Sequence, residues 1–578
     1  MTAAGPLRPA GVDTLPPLLA GLVTTARDAP DRPALVLADG RNLTFGALLD
    51  RVTHAAAGLA THGIGYGTRT VLLTPPAPDF VVAAFALLAR GAVPVLIDPG
   101  IGVGRVGTAL REVAPTAFVG SDRAHVARRL LRWAPTADRH VVTDGRGGAH
   151  LVAGPGAASL AQLERDGARS RDHPAWSPRR ATDEAALLFT SGSTGAPKAA
   201  VHRHPHLAAT IGVLRRMYGL RAGEVTVATF PPFALFGPAL GQTTVLPDMD
   251  FTRPAAADPE HLRHLIARHR ADLLFASPAL LGSLARHGRP LPSLRLVLSS
   301  GAPVPGHVVE TITALLPEGA AVTTPYGMTE VLPICAIGGA ELLATTALHD
   351  PPRGVCVGTP APDTDVLVIG VDHRPLPRVS AEDALEDGHV GELVVRGPQV
   401  TEAYAGRPAA TARAKTRWAG RTAHRTGDLA WRDAQGRLWF CGRVVHRVTT
   451  ATGPVDPLPV EQLVLDHPQV RRAALVGIGE AGAMRPVLVV QPAFPAAVAA
   501  WRPRARRTRA RLRAELRSRL DAHPHGAVVD AVLLHRRIPV DARHNAKIGY
   551  EQLARWATAR LRGRTTWVGR QAFGGGPT

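Results

Sequence analysis

The chain contains the stretch Thr190-Ser191-Gly192-Ser193-Thr194-Gly195-Ala196-Pro197-Lys198, directly after the apolar, strand-like run of residues 185–189. Its two glycines allow tight backbone turns, and its hydroxyls and backbone N–H groups can surround phosphate oxygens. The G-x-x-x-x-G-K-[ST] spacing of a Walker A loop is absent. A glycine- and serine-rich linker would not normally place Pro-Lys directly after a strand and loop. The stretch therefore predicts a phosphate-binding loop of another kind.

Lysine is rare among the basic residues of this chain. Of 67 lysines and arginines only three, Lys198, Lys415 and Lys547, are lysine. An ammonium is a compact point charge on a flexible stem, and it suits a single developing oxyanion better than the rigid fork of a guanidinium. Since Lys198 and Lys547 lie in segments with other chemically suggestive residues, the contrast points to ATP chemistry.

Length and composition predict a soluble α/β protein of several domain-sized units. The 578 residues correspond to about three or four such units, and 45% of them are hydrophobic and 20% charged. No run reaches the ~18 to 20 apolar residues that span a bilayer. The apolar stretch 15–23 lacks a basic flank and a convincing cleavage site, so we expect no signal peptide and a cytoplasmic location. The three cysteines, Cys335, Cys356 and Cys441, have no disulfide or zinc spacing and are expected to be buried.

A net charge of +20 raises the question of nucleic-acid binding, but the distribution of the charge argues against it. Much of the excess lies in residues 502–520, where Leu512, Leu516 and Leu520 recur at four-residue spacing. This pattern predicts an amphipathic helix with its leucines in a core and its arginines in water. Contact of the arginines with an anionic membrane surface or an acidic partner is the alternative.

The order of apolar runs predicts the fold. From about residue 30 to 345, helical stretches alternate with short strands such as residues 69–74, 93–97 and 273–277, as in βα units around parallel sheets. Residues 354–440 are richer in strands and turns, with an acidic surface loop at 381–391. From about 443 a small α/β pattern follows, with strands near 472–478 and 486–490.

Further segments complete the pattern begun by the loop at 190–198. They are Ser300-Gly-Ala-Pro303, Thr324-Pro-Tyr-Gly-Met-Thr-Glu330, Thr426-Gly-Asp428, Gly442-Arg443 and Lys547. In this order they resemble the motifs of the adenylate-forming superfamily, which includes acyl-CoA synthetases, luciferases and peptide-synthetase adenylation domains. The resemblance covers about residues 15–560.

The resemblance implies that the motifs bind ATP and Mg²⁺. Tyr326 would stack on adenine, Asp428 would accept hydrogen bonds from the ribose hydroxyls, and Glu330 would hold the metal. Arg443 would lie near the phosphate and ribose. The nucleotide-binding residues implied are Thr190, Ser191, Gly192, Ser193, Thr194, Gly195, Lys198, Gly301, Ala302, Pro303, Tyr326, Gly327, Thr329, Asp428, Arg443 and Lys547.

The implied fold is α/β, with a large N-terminal domain of βα-layered sheets and a small β-rich subdomain at residues 1–442. A small, mobile α+β C-terminal domain at 443–578 would follow. The implied reaction is attack of a carboxylate on the α-phosphorus of ATP, giving an acyl-adenylate and pyrophosphate. Its catalytic residues would be Lys547, Glu330 and Thr329, with Lys547 bridging the carboxylate and the α-phosphate, which Thr329 also contacts.

The chain departs from the thioester-forming members of the superfamily at several positions. The hinge residue, commonly Asp or Lys, is Val445. The usual glycine before the catalytic lysine is Ala546, and the usual arginine three residues after it is Tyr550. The glycine loop at 453–461 is one residue longer than usual. These departures place the thiol-dependent half-reaction in doubt without excluding it.

Within the superfamily the chain is similar to the β-lactone synthetases of olefin pathways. The similarity is carried by residues 229–240, 247–254, 438–443, 446–448 and 543–547. It implies a 2-alkyl-3-hydroxy fatty acid whose own β-hydroxyl attacks the adenylate and closes a β-lactone. It also allows an assembly with thiolase, reductase and β-lactone decarboxylase enzymes. Candidate walls of an apolar substrate pocket, each equally compatible with ordinary core, are Phe233, Ala234, Phe236, Leu332 and Ile337.

Two other functions remain open at this stage. One is a fatty acyl-CoA or acyl-carrier-protein ligase, and the other is a non-catalytic nucleotide-binding protein, which the presence of Glu330, Asp428 and Lys547 disfavours. The histidines at 202, 204 and 206 are expected to be structural. His446 and His544 flank the hinge and Lys547, so either could accept a proton if the geometry permits.

Overall fold

A computed structural model describes residues 15–144, 149–170, 176–177, 180–190, 196–346, 348, 352–493, 503–540 and 547–562. The chain divides into two compact units. The first spans Met1–Leu348, Val355–Phe440 and Asp541–Lys547, and the second spans His349–Gly354, Cys441–Val540 and Ile548–Thr578.

The first unit alternates helices and strands over most of its length. Its described strands are β1 (Pro33–Leu37), β2 (Asn42–Thr44), β3 (Arg69–Leu73), β4 (Val93–Leu96), β5 (Ala117–Gly120), β6 (Arg139–Val142), β7 (Ala158–Ser159), β8 (Glu184–Phe189), β9 (Ala199–Arg203), β10 (Val225–Ala228), β11 (Thr243–Leu246), β12 (Leu273–Phe275), β13 (Leu296–Leu298), β14 (Ala321–Met328), β15 (Val331–Gly338), β16 (Val355–Pro360), β17 (Asp365–Ile369), β18 (Arg378–Val379), β19 (Gly391–Arg396), β20 (Lys415–Trp418), β21 (Arg421–Arg432) and β22 (Leu438–Arg443). Its described helices are α1 (Pro17–Asp28), α2 (Phe45–Thr61), α3 (Pro78–Ala89), α4 (Val103–Val113), α5 (Asp122–Leu131), α6 (Ala149–Ala153), α7 (Leu160–Arg169), α8 (His204–Tyr218), α9 (Pro231–Leu240), α10 (Pro259–Arg268), α11 (Pro278–His287), α12 (Gly306–Leu315), α13 (Gly339–Thr346) and α14 (Pro408–Ala414).

Two sheets organise the first unit. Within the described residues one has the strand order β7-β6-β5-β3-β4-β8-β9, and the other follows the path β17-β19-β21-β22-β16-β15-β14-β13-β12-β10-β11-β1-β2. The short, almost wholly buried strands β3, β5, β12 and β13 pair in parallel, which requires the crossover helices between them. The predicted βα pattern is confirmed, and the apolar run at 81–88 lies in α3, buried throughout.

In the second sheet, strand pairing changes from parallel to antiparallel at β14. Strand β13 pairs with β14 in parallel, whereas β14, β15 and β16 pair in antiparallel succession. The loop after β13 and the end of β14 therefore lie side by side. This change brings the segments at 300–303 and 324–330 to the same edge of the sheet.

The second unit has its own core. Its elements are β23 (Val448–Thr450), β24 (Gly453–Val455), α15 (Pro457–Leu465), β25 (Val470–Ile478), β26 (Arg485–Pro492), α16 (Pro503–Asp521), α17 (Pro524–Ala527), β27 (Ala531–Leu534) and α18 (Tyr550–Arg562). Leu512, Leu516 and Leu520 of α16 are buried in one cluster with Val464 and Leu475. The predicted apolar stripe is confirmed, because its spacing matches the helical period.

The three cysteines are free and buried, as expected. No helix in the described part of the chain is both long enough and apolar enough to cross a bilayer.

Candidate active site

The ends of the predicted phosphate loop are pinned together. The backbone N–H of Thr190 donates to the Lys198 carbonyl at 2.9 Å, and the Lys198 N–H donates to the Thr190 hydroxyl at 3.1 Å. This closure continues the antiparallel pairing of Phe189 with Ala199. The loop thus starts and ends at one point of the sheet. The predicted residues Ser191, Gly192, Ser193, Thr194 and Gly195 lie outside the described residues.

Tyr326 and Asp428, predicted to bind adenine and ribose, are in direct contact. The Tyr326 hydroxyl donates to Oδ2 of Asp428, which is buried on β21. The Tyr326 ring also lies 6.0 Å from the Phe440 ring, tilted by 42°. The structure therefore brings together two groups that the sequence separates widely.

The segment of β21 that carries Asp428 packs against a buried ion pair that the sequence did not reveal. Arg425 donates to Glu392 at 2.6 and 3.1 Å, with side chains only 3% and 6% exposed. Glu392 also accepts from the backbone N–H of Gly427 at 3.3 Å. Burial raises the pKa of Glu392 despite the guanidinium beside it. The pair holds the Thr426-Gly427-Asp428 segment of β21 in place.

The loop after β13 flanks Tyr326 through strand pairing. Leu298 of β13 is in register with Thr323 of β14, so residues 301–303 follow the end of a strand beside the one carrying Tyr326. Gly301 has a φ of 99°, a conformation that a side chain would strain. Gly301 and Pro303 are exposed and Ala302 is partly buried. Gly327, also predicted to bind the nucleotide, is packed against the Leu332 side chain.

Glu330 is held at both its backbone and its side chain. Its carbonyl accepts from the Thr401 N–H at 2.9 Å and from the Thr401 hydroxyl at 3.1 Å. Its Oε1 accepts a hydrogen bond from the Tyr404 hydroxyl. The neighbouring Thr329 carbonyl accepts from Nε2 of His202 at 3.0 Å. Segment 401–404 thus fixes the predicted metal ligand.

His202 has the structural role that its position predicts. Its ring is buried, and burial lowers its pKa to about 3. A neutral imidazole at this position supports the Thr329 backbone. His206 acts as a helix cap, since its Nδ1 accepts from the Arg203 N–H at 3.1 Å.

Two lysines lie over the ring of Tyr404. The ammonium of Lys198 is 4.8 Å from the ring centroid and that of Lys415 is 5.8 Å away. Lys415 is buried and donates to the Thr401 hydroxyl at 3.1 Å. Burial lowers its pKa to about 7, whereas the Glu330 carboxylate opposes that shift. Sequence reasoning missed Thr401, Tyr404 and Lys415, although the rarity of lysine could have marked Lys415.

The predicted substrate-pocket residues fall into two groups. Phe233 stacks on Phe275 at 4.0 Å and 21° and meets Phe236 edge-on at 5.7 Å. By contrast, Ala234 is fully buried in the core formed with α1, α2 and α3. Leu332 and Ile337 lie on β15, where Leu332 is partly buried and Ile337 is buried. Phe233, Phe236 and Leu332 are the members of this set that keep exposed surface for a ligand.

Strand β22 begins in the first unit and ends in the second, with Arg443 as its last residue, and the departures at the hinge follow it. Val445 is 65% exposed. His446 stacks on Tyr550 at 4.1 Å and 23°, and burial lowers the pKa of His446 to about 4. Tyr550 in turn donates to Glu461 at 2.9 Å. Tyr550 therefore places a partly buried phenol against the Glu461 carboxyl group, at the position where thioester-forming relatives commonly carry an arginine.

The segment around Lys547 is only partly described. Residues 541–546, with His544 and Ala546, lie outside the described residues. Lys547 itself is partly exposed, directly before a bridge between Val540 and Ile548.

The residues around Glu330 fit a magnesium ion bound together with a nucleotide. Among the described residues no group of three or more His, Cys, Asp or Glu side chains could hold a metal alone. Mg²⁺, however, is often held by one or two carboxylates together with substrate phosphates and water. A single buried carboxylate, linked through Tyr404 to a lysine at the end of the predicted phosphate loop, suits that mode of binding.

Comparison with known proteins defines the class to which this site belongs. Residues 22–405 match the family described as AMP-binding enzyme, and the chain belongs to that family. It is an ATP-dependent enzyme of the adenylate-forming superfamily, as predicted.

Two relatives and one solved structure show which enzymes within the superfamily the chain resembles. The olefin beta-lactone synthetase of Xanthomonas campestris pv. campestris is 46% identical over 559 residues, which cover 94% of this chain and 98% of the relative. The olefin beta-lactone synthetase of Stenotrophomonas maltophilia is 46% identical over 563 residues, which cover 95% and 99%. The solved structure of the amide bond synthetase McbA from Marinactinospora thermotolerans matches with a TM-score of 0.73 at 22% identity, covering 94% of this chain and all of that one. The last similarity bears on the fold, and it confirms the predicted α/β class.

Proposed function

We propose that this enzyme activates a 2-alkyl-3-hydroxy fatty acid with ATP and Mg²⁺ and closes the product to a β-lactone, releasing AMP and pyrophosphate. The observation that carries the proposal is the 46% identity, over nearly the whole chain, to olefin beta-lactone synthetases. The geometry around Glu330, Tyr326 and Asp428 supports the adenylation step that such a reaction needs.

The first half-reaction joins two anions, so the site must neutralise charge while it orients the acid. Tyr326 and Asp428 would bind the adenosine, and Lys198 with the loop that it ends would bind the phosphates. Glu330 would hold Mg²⁺, which when bound neutralises phosphate charge. Thr329 would contact the α-phosphate, and Lys547 would bridge it to the attacking carboxylate, stabilising charge that develops in the transition state.

The second half-reaction needs no external nucleophile. The β-hydroxyl oxygen bonds to the acyl carbon, the bond from that carbon to the phosphate oxygen breaks, and AMP leaves while the hydroxyl proton passes to solvent or a base. Ring strain opposes closure, but tethering can supply an effective molarity of ~10⁵ M or more. His446 is a poor candidate for the base, because its ring is stacked on Tyr550 and its pKa is low.

The hinge region supports lactone formation over thioester formation. Val445 places an exposed aliphatic side chain where thioester-forming relatives commonly carry a charge. A neutral side chain there offers no ion pair to a second orientation of the C-terminal domain. The alternative, an acyl-CoA or acyl-carrier-protein ligase, shares the adenylation step and differs in thiol dependence.

The proposal also includes a moving C-terminal domain and the enzymes that act before and after this one. Residues 1–442 would form the adenylating domain, and residues 443–578 a mobile domain that carries Arg443 and Lys547. The β-hydroxy acid would come from thiolase and reductase enzymes, and a decarboxylase would consume the β-lactone, so that an assembly with them is reasonable. Its use of ATP fits a cytoplasmic enzyme.

Incubation with ATP, Mg²⁺ and a 2-alkyl-3-hydroxy fatty acid, without coenzyme A, tests the proposal. We expect steady AMP release and a product one water lighter than the acid, identified as a β-lactone by NMR. Lys547→Ala should abolish both. Turnover that requires coenzyme A or a carrier thiol would instead identify a thioester-forming ligase.

A further inference from the structure

None of the roles proposed so far involves Lys415. It is one of three lysines in a chain whose other basic residues are arginines, and the remaining two belong to the proposed active site. It begins β20 and is buried. Burying an ammonium is costly unless it is well partnered, so its surroundings decide what it does.

A hydrogen-bond chain runs from Lys415 to Glu330. The ammonium donates to the Thr401 hydroxyl at 3.1 Å, and that hydroxyl donates to the Glu330 carbonyl at 3.1 Å. The Glu330 carbonyl can only accept, so the single hydroxyl hydrogen of Thr401 goes to it, and Lys415 must be the donor in the other bond. The Thr401 N–H donates to the same carbonyl at 2.9 Å. Lys415 therefore fixes the rotamer of a side chain that grips the Glu330 backbone.

Tyr404 provides a second connection between the same groups. Its hydroxyl donates to Oε1 of Glu330, while its ring lies under the ammonium groups of Lys198 and Lys415. A cation over the face of an aromatic ring is attracted by the negative potential of that face. The ring is buried, and its segment pairs with β9 through the bridge of Tyr404 to Ala200. The phenol is thus held by cations on its ring and aimed at the carboxylate.

We propose that Lys415 and Tyr404 are positioning residues that hold the Glu330 carboxylate in the orientation in which it binds the metal of the nucleotide complex. The inference rests on the proposed function, since it takes Glu330 as the magnesium ligand. Neither residue touches the nucleotide in this account. Both act through Glu330, Lys415 by way of Thr401 and Tyr404 by its own hydroxyl.

Manganese binding tests the inference separately from catalysis. Mn²⁺ and a non-hydrolysable ATP analogue are titrated into the full-length enzyme and bound Mn²⁺ is followed by EPR. We expect Tyr404→Phe and Lys415→Met to weaken Mn²⁺ binding about 10- to 100-fold, as loss of a partner that orients a metal ligand does. The affinity of these variants for the ATP analogue in EDTA should change by less than about threefold. A general loss of structure would weaken the binding of both Mn²⁺ and the analogue.

The control variants fix how each outcome is interpreted. Glu330→Gln should lose Mn²⁺ binding most severely. Tyr66→Phe removes a surface hydrogen bond from a tyrosine to the Asp183 carboxylate, 2.8 Å long, and should leave Mn²⁺ binding unchanged. If Lys415→Met fails to fold, Thr401→Val and Tyr404→Phe carry the test.

Three outcomes separate the inference from the proposed function. Wild-type Mn²⁺ affinity in Tyr404→Phe and in the Lys415 or Thr401 variant, with loss in Glu330→Gln, would overturn the inference and leave the function intact. Wild-type Mn²⁺ affinity in Glu330→Gln would overturn the inference, because it would show that Glu330 is not a metal ligand. An enzyme that binds no Mn²⁺ with the ATP analogue would overturn both.

Discussion

The hydroxyl of Tyr326 donates a hydrogen bond to the carboxylate of Asp428, 102 residues further along the chain. The tyrosine lies near the end of one strand of the second sheet and the aspartate lies within another. The contact therefore links the β-rich part of the first unit to the edge where the parallel strands end. It orients the carboxylate that we assign to the ribose.

Substitutions at this pair should affect ATP binding to different degrees. Asp428→Ala removes the acceptor for both ribose hydroxyls and should raise KM for ATP about 10- to 100-fold, the range for hydrogen bonds to a charged group. Tyr326→Phe keeps the ring and loses only the orienting bond, so about a threefold rise is expected. Steady-state kinetics at saturating acid measure both values. Equal effects of the two variants would show that Asp428 acts only through Tyr326.

The buried pair of Arg425 and Glu392 should be important for stability. Arg425→Met leaves an uncompensated buried carboxylate and should cost about 3 to 5 kcal/mol. The double variant Arg425→Met/Glu392→Leu should recover most of that loss, since no buried charge then remains. Denaturant unfolding followed by fluorescence measures the change. The exposed pair of Arg27 and Asp28 is the control, and Arg27→Met should be neutral. A double variant no more stable than the single one would contradict the account.

Glu461 should make stability depend on pH. Burial raises its pKa to about 7 from an ordinary 4.5. Between about pH 4.5 and 7 the folded protein keeps the proton on Glu461, whereas the unfolded chain releases it. The contribution of Glu461 to the stability of the fold is therefore complete below about pH 4.5 and is lost as the pH rises to about 7. Glu461→Gln retains acceptors for the Leu475 N–H and the Tyr550 hydroxyl. We expect this variant to show a smaller fall in Tm between pH 5 and 7.

Asp28→Asn is the matched control for that experiment. The hydrogen bond from Arg27 lowers the pKa of the exposed Asp28 carboxyl group, so this substitution should not alter the slope between pH 5 and 7. A Glu461→Gln variant that retained the full slope would assign the pH dependence to another group.

The aromatic group on α9 should determine how well the alkyl arms bind. Phe236→Ala removes part of the partly buried surface that meets Phe233 and should raise KM for a long-chain acid about tenfold, with KM for ATP unchanged. Kinetics with acids of two chain lengths distinguish the effects, because a short acid should lose less. An equal rise in KM for ATP would indicate general damage rather than a pocket wall.

The sequence predicted those parts of the protein that short-range patterns encode. The run before Thr190 forms β8 and the leucines of α16 are buried, because each signal lies within one element. The partners of Glu330 could not be predicted in this way. Thr401 and Tyr404 follow it by 71 and 74 residues, and only the pairing of strands places them against it. A tyrosine in a strand-rich segment carries no local sign of the carboxylate that it will meet.

In the proposed reaction the carboxylate is adenylated and the β-hydroxyl then attacks it, and isotope labelling tests this order most directly. The acid is prepared with ¹⁸O in both carboxylate oxygens and turned over with unlabelled ATP, and AMP and lactone are analysed by mass spectrometry. We expect one ¹⁸O in AMP and one, as the carbonyl oxygen, in the lactone. A lactone that keeps both ¹⁸O atoms beside unlabelled AMP would show that the hydroxyl carbon is the one activated, and would contradict the account.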